Sequence, residues 1–134
     1  MVLDDGRRQI VDYLKHRMSL ASNPEGQVRA WIEGVLAQAK DPVAASRTRP
    51  FVVSPDRLAD AFPAEMRTSR DRLIEILAEA IGGVRRASAV DTWRDAEAVY
   101  HLTFGTLHEH LSRRSAPGAD EVEHAVQFAL RSLS

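Results

Sequence analysis

Asn23-Pro24-Glu25-Gly26-Gln27-Val28-Arg29-Ala30-Trp31-Ile32-Glu33-Gly34-Val35-Leu36-Ala37-Gln38-Ala39-Lys40 decides the fold class. It opens on an Asn N-cap, a proline at the first helical position and an acid in the first turn, which is how helices begin. Its apolar residues Val28, Trp31, Ile32, Val35, Leu36 and Ala39 are spaced by threes and fours and form one stripe. The stretch therefore predicts an amphipathic helix over 24–40.

Working outward, Ile10, Leu14 and Met18 repeat that spacing before it, and Leu73, Ile74, Leu77 and Ile81 after it. Asp41-Pro42 and Ser54-Pro55-Asp56 repeat the start signal. Gly82-Gly83 reads as a helix stop, Asp91 as the next N-cap, and Pro117-Gly118 as a break between the last two helices. The chain divides into helices near 2–21, 24–40, 64–82, 91–115 and 118–133, with one or two short helical turns between 41 and 63. Phe51-Val52-Val53 is the one strand-like run, and Pro50 and Pro55 leave it too short to pair. The expectation is an all-α bundle of about six to seven helices. The helices near 2–21, 24–40 and 64–82 are each expected to bury one face and to leave an Arg-rich opposite face in water.

The composition fits this. The 134 residues suit a single domain over 1–134, and 44% hydrophobic with 28% charged residues excludes a disordered tail. No run of 18 apolar residues exists, so no membrane contact is expected. Lys+Arg 18 against Asp+Glu 19 gives a formal charge of -1, without the basic excess of a nucleic-acid module. The absence of cysteine excludes disulfides, zinc ribbons and thiol chemistry. Asp4 and Asp5 stand where a secretory leader would be apolar, which makes the expected location cytoplasmic.

The last two helices carry more apolar surface than one face needs. On the first, Trp93, Ala96, Tyr100, Phe104, Leu107 and Leu111 fall within an arc of roughly 80°, while Ala98, Val99, Leu102 and Gly105 lie on roughly the opposite side. On the second, Val122, Val126, Ala129, Leu130 and Leu133 make the main stripe, with Ala125 and Phe128 on one flank. A helix with two apolar faces either fills the middle of a domain or meets a second partner. In so short a chain a partner subunit is the preferred reading, with Ala98, Leu102, Gly105, Ala125 and Phe128 at a homodimer seam. Ala98 and Gly105, a heptad apart, would admit a close backbone.

Two segments resemble one family. Ala96-Glu97-Ala98-Val99-Tyr100-His101-Leu102-Thr103-Phe104-Gly105-Thr106-Leu107 and, past the Pro-Gly break, Val122-Glu123-His124-Ala125-Val126-Gln127-Phe128-Ala129-Leu130-Arg131 look like the end of a TetR-family transcriptional regulator. Val28-Arg29-Ala30-Trp31-Ile32-Glu33-Gly34-Val35-Leu36, Arg49-Pro50-Phe51 and Asp56-Arg57-Leu58 are similar to the middle of such proteins. The resemblance implies an effector-binding and dimerisation body whose last two helices form a four-helix bundle with those of a partner. In that family a helix-turn-helix domain ahead of the body reads DNA. Here the chain opens almost directly on what resembles the body's first helix. DNA binding is then expected only through a helix-turn-helix domain missing from this chain. The chain is either a C-terminal piece or a shortened relative.

A small, mostly apolar effector is the ligand such a body implies. Bulky side chains of the central segments are the candidates to line its pocket: Trp31, Phe51, Phe62, Met66, Tyr100, His101 and Phe104, with Tyr100 or His101 as polar anchor. Plain core packing is the competing account of each.

Catalytic chemistry has little footing. No nucleophile elbow, Walker loop, dinucleotide fingerprint or zincin motif occurs, and Val84-Arg85-Arg86 after Gly82-Gly83 resembles no phosphate cradle. His101 and His108 share a face but lie roughly 10 Å apart along a helix, too far for one ion. His108 and His110 point about 200° apart. Glu121-x-x-His124 has a di-iron spacing without the second such step that site needs, and Glu97-x-x-x-His101 suits a surface contact. No metal, no cofactor and no enzymatic activity are expected. The alternatives are a helical-bundle enzyme or metal protein, marked by carboxylates facing His124 or His101 in the interior, and a helical adaptor without a pocket.

Overall fold

The computed structural model describes residues 2–53, 60–61 and 63–134, with side chains from Gln9 onward except at Phe51. Among the described residues there are six α-helices, one 3-10 turn and no strand. The fold is an all-α bundle. The helices are α1 (Val2–Ser19), α2 (Pro24–Leu36), α3 (Pro42–Val53), α4 (Pro63–Val84), α5 (Ala89–Arg113) and α6 (Ala119–Leu133). The 3-10 turn Ala37–Ala39 tightens the end of the segment predicted as 24–40. No helix of the described residues is long and apolar enough to cross a membrane.

The middle of the bundle belongs to α2, which packs against α1, α4, α5 and α6. Its start is as predicted: the Asn23 Oδ1 accepts the Gly26 N–H at 2.7 Å and Pro24 takes the first turn. Its burial is wider than one stripe. Val28, Trp31, Ile32, Val35 and Leu36 are buried, and so are Ala30 and Gly34 on the other side. Those small residues let α1 approach: a Cβ at Gly34 would stand 2.5 Å from the Leu14 Cδ2. Arg29 and Glu33 are half-buried and paired, which corrects the expectation of a solvated Arg-rich face. Arg29 meets Glu123 of α6 at 2.8 Å, and Glu33 meets Arg17 of α1 at 3.5 Å.

Between 41 and 63 the structure departs from the expected short turns. Asp41 does open a helix, its Oδ1 accepting the Val43 N–H at 3.1 Å, but α3 then runs twelve residues through Pro50 and takes in Phe51-Val52-Val53. Proline removes one backbone donor. Here that loss is outweighed by burial of Ala45 and Val52 and by ties to three other segments. Arg49 Nε donates to the Leu111 carbonyl at 3.3 Å, Arg47 to Gln9 at 2.7 Å and Thr48 to Gln38 at 3.4 Å. Ser54-Pro55-Asp56 lies outside the described residues.

Two punctuation marks also read differently in three dimensions. Asp91 is not the N-cap of α5. Extended backbone at Ser88 (φ -65°, ψ 159°) aims that hydroxyl at the Asp91 N–H, 3.0 Å away, so Asp91 stands in the first turn. The helix ends at Arg113 because Arg114 turns left-handed (φ 55°), sending its own N–H and that of Ser115 back to the Leu111 and His110 carbonyls. Gly82-Gly83 is not a stop: α4 passes through both to Val84, and no glycine of the described residues has a positive φ. What glycine provides at 83 is room, since a Cβ there would lie 2.8 Å from the Pro24 Cγ.

That contact generates a paired prediction. Gly82 faces open space, so Gly82→Ala should stabilise by about 0.5–1 kcal/mol through helix propensity. Gly83→Ala should instead lower the melting temperature, because the rigid ring of Pro24 must be pushed aside. Thermal denaturation of both variants decides it, and an equal rise in both would refute the close approach of α2 and α4.

Candidate functional site

Three helices, α2, α4 and α5, bring aromatic and charged groups together. Trp31 is 0% exposed, and its Nε1–H donates to the Leu73 carbonyl of α4 at 3.1 Å. Tyr100 and Phe104 sit one turn apart on α5 and stack with centroids 4.5 Å apart and planes 25° from parallel. Both meet the Trp31 ring, Phe104 at 6.1 Å nearly edge-on and Tyr100 at 6.5 Å. These are the separations at which aromatic pairs attract beyond their buried area.

A charged pair rims the stack. Arg70 of α4 lies with its Cζ 5.5 Å from the Tyr100 ring centre, within cation–π range. Its Nη2 donates to Glu97 Oε2 of α5 at 2.9 Å, and Asp71 is 3.5 Å away. Burial pushes the Tyr100 phenol above its ordinary value, and the Arg70 charge opposes that rise. Met66 stands one turn before Arg70 on α4 and is half-buried. His101 is exposed, its ring edge against Tyr100 at 5.5 Å.

Of the seven sequence-predicted lining residues, Trp31, Tyr100 and Phe104 are brought into mutual contact, and His101 joins them at the edge. Trp31 is sealed, whereas Tyr100 and Phe104 are half-buried. Phe62 and the side chain of Phe51 lie outside the described residues. Arg70 and Glu97 were not among the candidates. Nothing in the spacing of residues 27 positions apart marks a pair; Glu97 looked like a neighbour of His101, yet its carboxylate turns to Arg70.

The five residues expected at the seam differ in exposure. Ala98 and Gly105 are exposed on α5, with no atom within 4 Å of a Cβ built at Gly105. Phe128 on α6 is 49% exposed. Leu102 is half-buried, and Ala125, at 8% exposed, already packs into the core of its own chain. Val99 is likewise a core residue. The α6 helix rests chiefly on α2 and meets α5 only lightly.

The histidines are dispersed. His101, His108 and His124 are exposed, so neither His101 nor His124 faces carboxylates in the interior. Glu121 turns away from His124 and meets His110 Nε2 at 2.9 Å, while His110 Nδ1 meets the Ser115 hydroxyl at 2.8 Å. This clamp ties the end of α5 to the start of α6. Among the described residues no three His, Asp or Glu side chains converge as a metal ion would require.

The opposed influences on Tyr100 can be separated by titration. The chain has two tyrosines, so in a Tyr13→Phe background ultraviolet titration follows Tyr100 alone. Its phenol should ionise above the ordinary tyrosine range, and Arg70→Met should move it higher still, because the favourable charge is gone and the burial remains. A downward move would show that Arg70 does not face the ring.

Comparison with protein-family models, with curated proteins and with solved structures gives no match, so the functional reading stands on these residues.

Proposed function

We propose that the chain is the effector-binding and homodimerising body of a TetR-like transcriptional regulator, a cytoplasmic sensor rather than a catalyst. The observation that carries this reading is the Tyr100–Phe104 stack. On the same face of α5, Ala96, Leu107 and Leu111 are sealed, yet the two aromatic rings between them are half-buried. Apolar area left partly open beside one ion pair is the composition of a small-molecule site. A mostly apolar effector would cover the rings, with the Arg70–Glu97 pair setting its orientation. In a full-length parent, binding that favours one arrangement of the two subunits would change the spacing of the attached DNA readers. The outward face of α5 supports the dimer, since Ala98 and Gly105 let a second helix come close.

Two measurements test the two halves. Thermal-shift screening against a panel of small aromatic and aliphatic compounds should find a stabiliser, worth about 2.7 kcal/mol at a hundredfold excess over Kd. Tyr100→Ala and Phe104→Ala, if folded by circular dichroism, should lose that shift, while a change of exposed Arg131 keeps it. An equal response in all three variants would place the ligand elsewhere.

Light scattering after size exclusion tests the dimer. Wild type should run as two chains. Gly105→Arg, which improves helix propensity while placing a charge in the seam, should give a monomer of near-normal helicity. A monomeric wild type, or a mutant that still pairs fully, would refute the seam.

A further inference from the structure

The connection between α4 and α5 carries Arg85-Arg86-Ala87-Ser88-Ala89. Every residue from Arg85 to Asp91 is exposed, and Arg86 to Ser88 are in no regular element. Ser88 is exposed on extended backbone, and its hydroxyl accepts the Asp91 N–H as the cap of α5. Of the two guanidinium groups, Arg85 reaches Asp95 at 3.2 Å, while Arg86 makes no ion pair among the described residues. Ala87 and Ala89 flank the serine with nothing bulkier than a methyl group.

We propose that Ser88 is a phosphorylation site for a basophilic serine kinase, which reads Arg85 and Arg86 three and two residues ahead of it. Such a kinase lines its peptide cleft with carboxylates, and guanidinium forks match carboxylates bidentately. The cleft takes extended chain, so the first turn of α5 must open. That opening is cheap: Ala89, Val90 and Asp91 are exposed, Val90 by 60%, and the first fully buried residue of α5 is Ala96. In the transfer, the Ser88 Oγ bonds to the γ-phosphorus of ATP, the bond from that phosphorus to the β,γ-bridging oxygen breaks, and ADP departs. The hydroxyl proton passes to the kinase's catalytic carboxylate. The product places a dianionic group at a helix start, where the dipole and the neighbouring arginines favour it and Asp91 opposes it.

Ser115 is a built-in comparison. Two arginines, Arg113 and Arg114, also precede it, but by two residues and one, so that Ser112 stands where the guanidinium three residues ahead is needed, and its hydroxyl is held by His110 at 2.8 Å.

The test incubates the full chain with ATP and the catalytic subunit of cyclic-AMP-dependent protein kinase, and maps phosphate by mass spectrometry. A synthetic peptide of residues 82–94 runs in parallel. One phosphate is expected, on Ser88. Ser88→Asn keeps a good N-cap and removes the acceptor, so it should abolish incorporation at unchanged helicity. Arg86→Ala should lower kcat/KM about tenfold, as loss of a charge-assisted hydrogen bond does. Phosphorylation of the peptide but not the chain would overturn the proposal, since the fold would then hide the serine. Equal labelling of Ser115, or an Arg86→Ala variant as good as wild type, would overturn it as well.

Discussion

Sealing Trp31 of α2 against α4 and α5 leaves an indole N–H that cannot reach water, and one carbonyl of α4 accepts it. A polar group buried without a partner costs about 1–3 kcal/mol. The Leu73 oxygen avoids that cost at 3.1 Å, and in doing so fixes where along its length α4 crosses α2. With the register of α4 set, Arg70 comes to lie over Tyr100 and within 2.9 Å of Glu97. The ring of Trp31, oriented by its N–H, in turn offers its face and edge to Phe104 and Tyr100. The candidate site is thus downstream of a single hydrogen bond in the core.

Around that core the charges form a chain. Arg17 of α1 pairs with Glu33 of α2, Glu33 with Arg29, Arg29 with Glu123 of α6, and Glu123 accepts from Gln127. Partly exposed pairs of this kind contribute little stability each. Their use is directional, since they set how α1 and α6 lie against α2. The Arg29 hydrogen bond holds the Glu123 carboxyl below the usual carboxylate range, helped by Gln127. A carboxylate with a depressed pKa supports the fold above its unfolded value and withdraws that support as acid titrates it.

The parts of this molecule that were legible in its sequence are those written locally. The Asn23-Pro24 start and the threes and fours of α2 needed no tertiary knowledge, and all-α followed from them. The stripe that includes Tyr100 and Phe104 was equally plain. What periodicity could not reveal was which helix occupies the centre. The small residues Ala30 and Gly34 weigh little on any hydrophobic scale, yet they mark a second buried face more surely than another leucine would. The same blindness made Gly83 a stop signal when it is a contact with Pro24 across the fold. Pro50 bounded a strand-like run in the sequence, and packing against α5 holds that run in a helix instead. Arg70 stayed hidden because its meaning depends on a ring 30 positions later that only the crossing of α4 and α5 brings near.

The sealed indole also makes the protein its own optical gauge. Of the two tryptophans, Trp31 is dry, hydrogen-bonded and in van der Waals company with the aromatic stack, whereas Trp93 is half-buried on α5. Their emission should therefore separate by colour and by access to aqueous quenchers, with the bluer, protected component belonging to Trp31. A disturbance of the Tyr100–Phe104 stack would reach that protected component directly, because those rings are its neighbours.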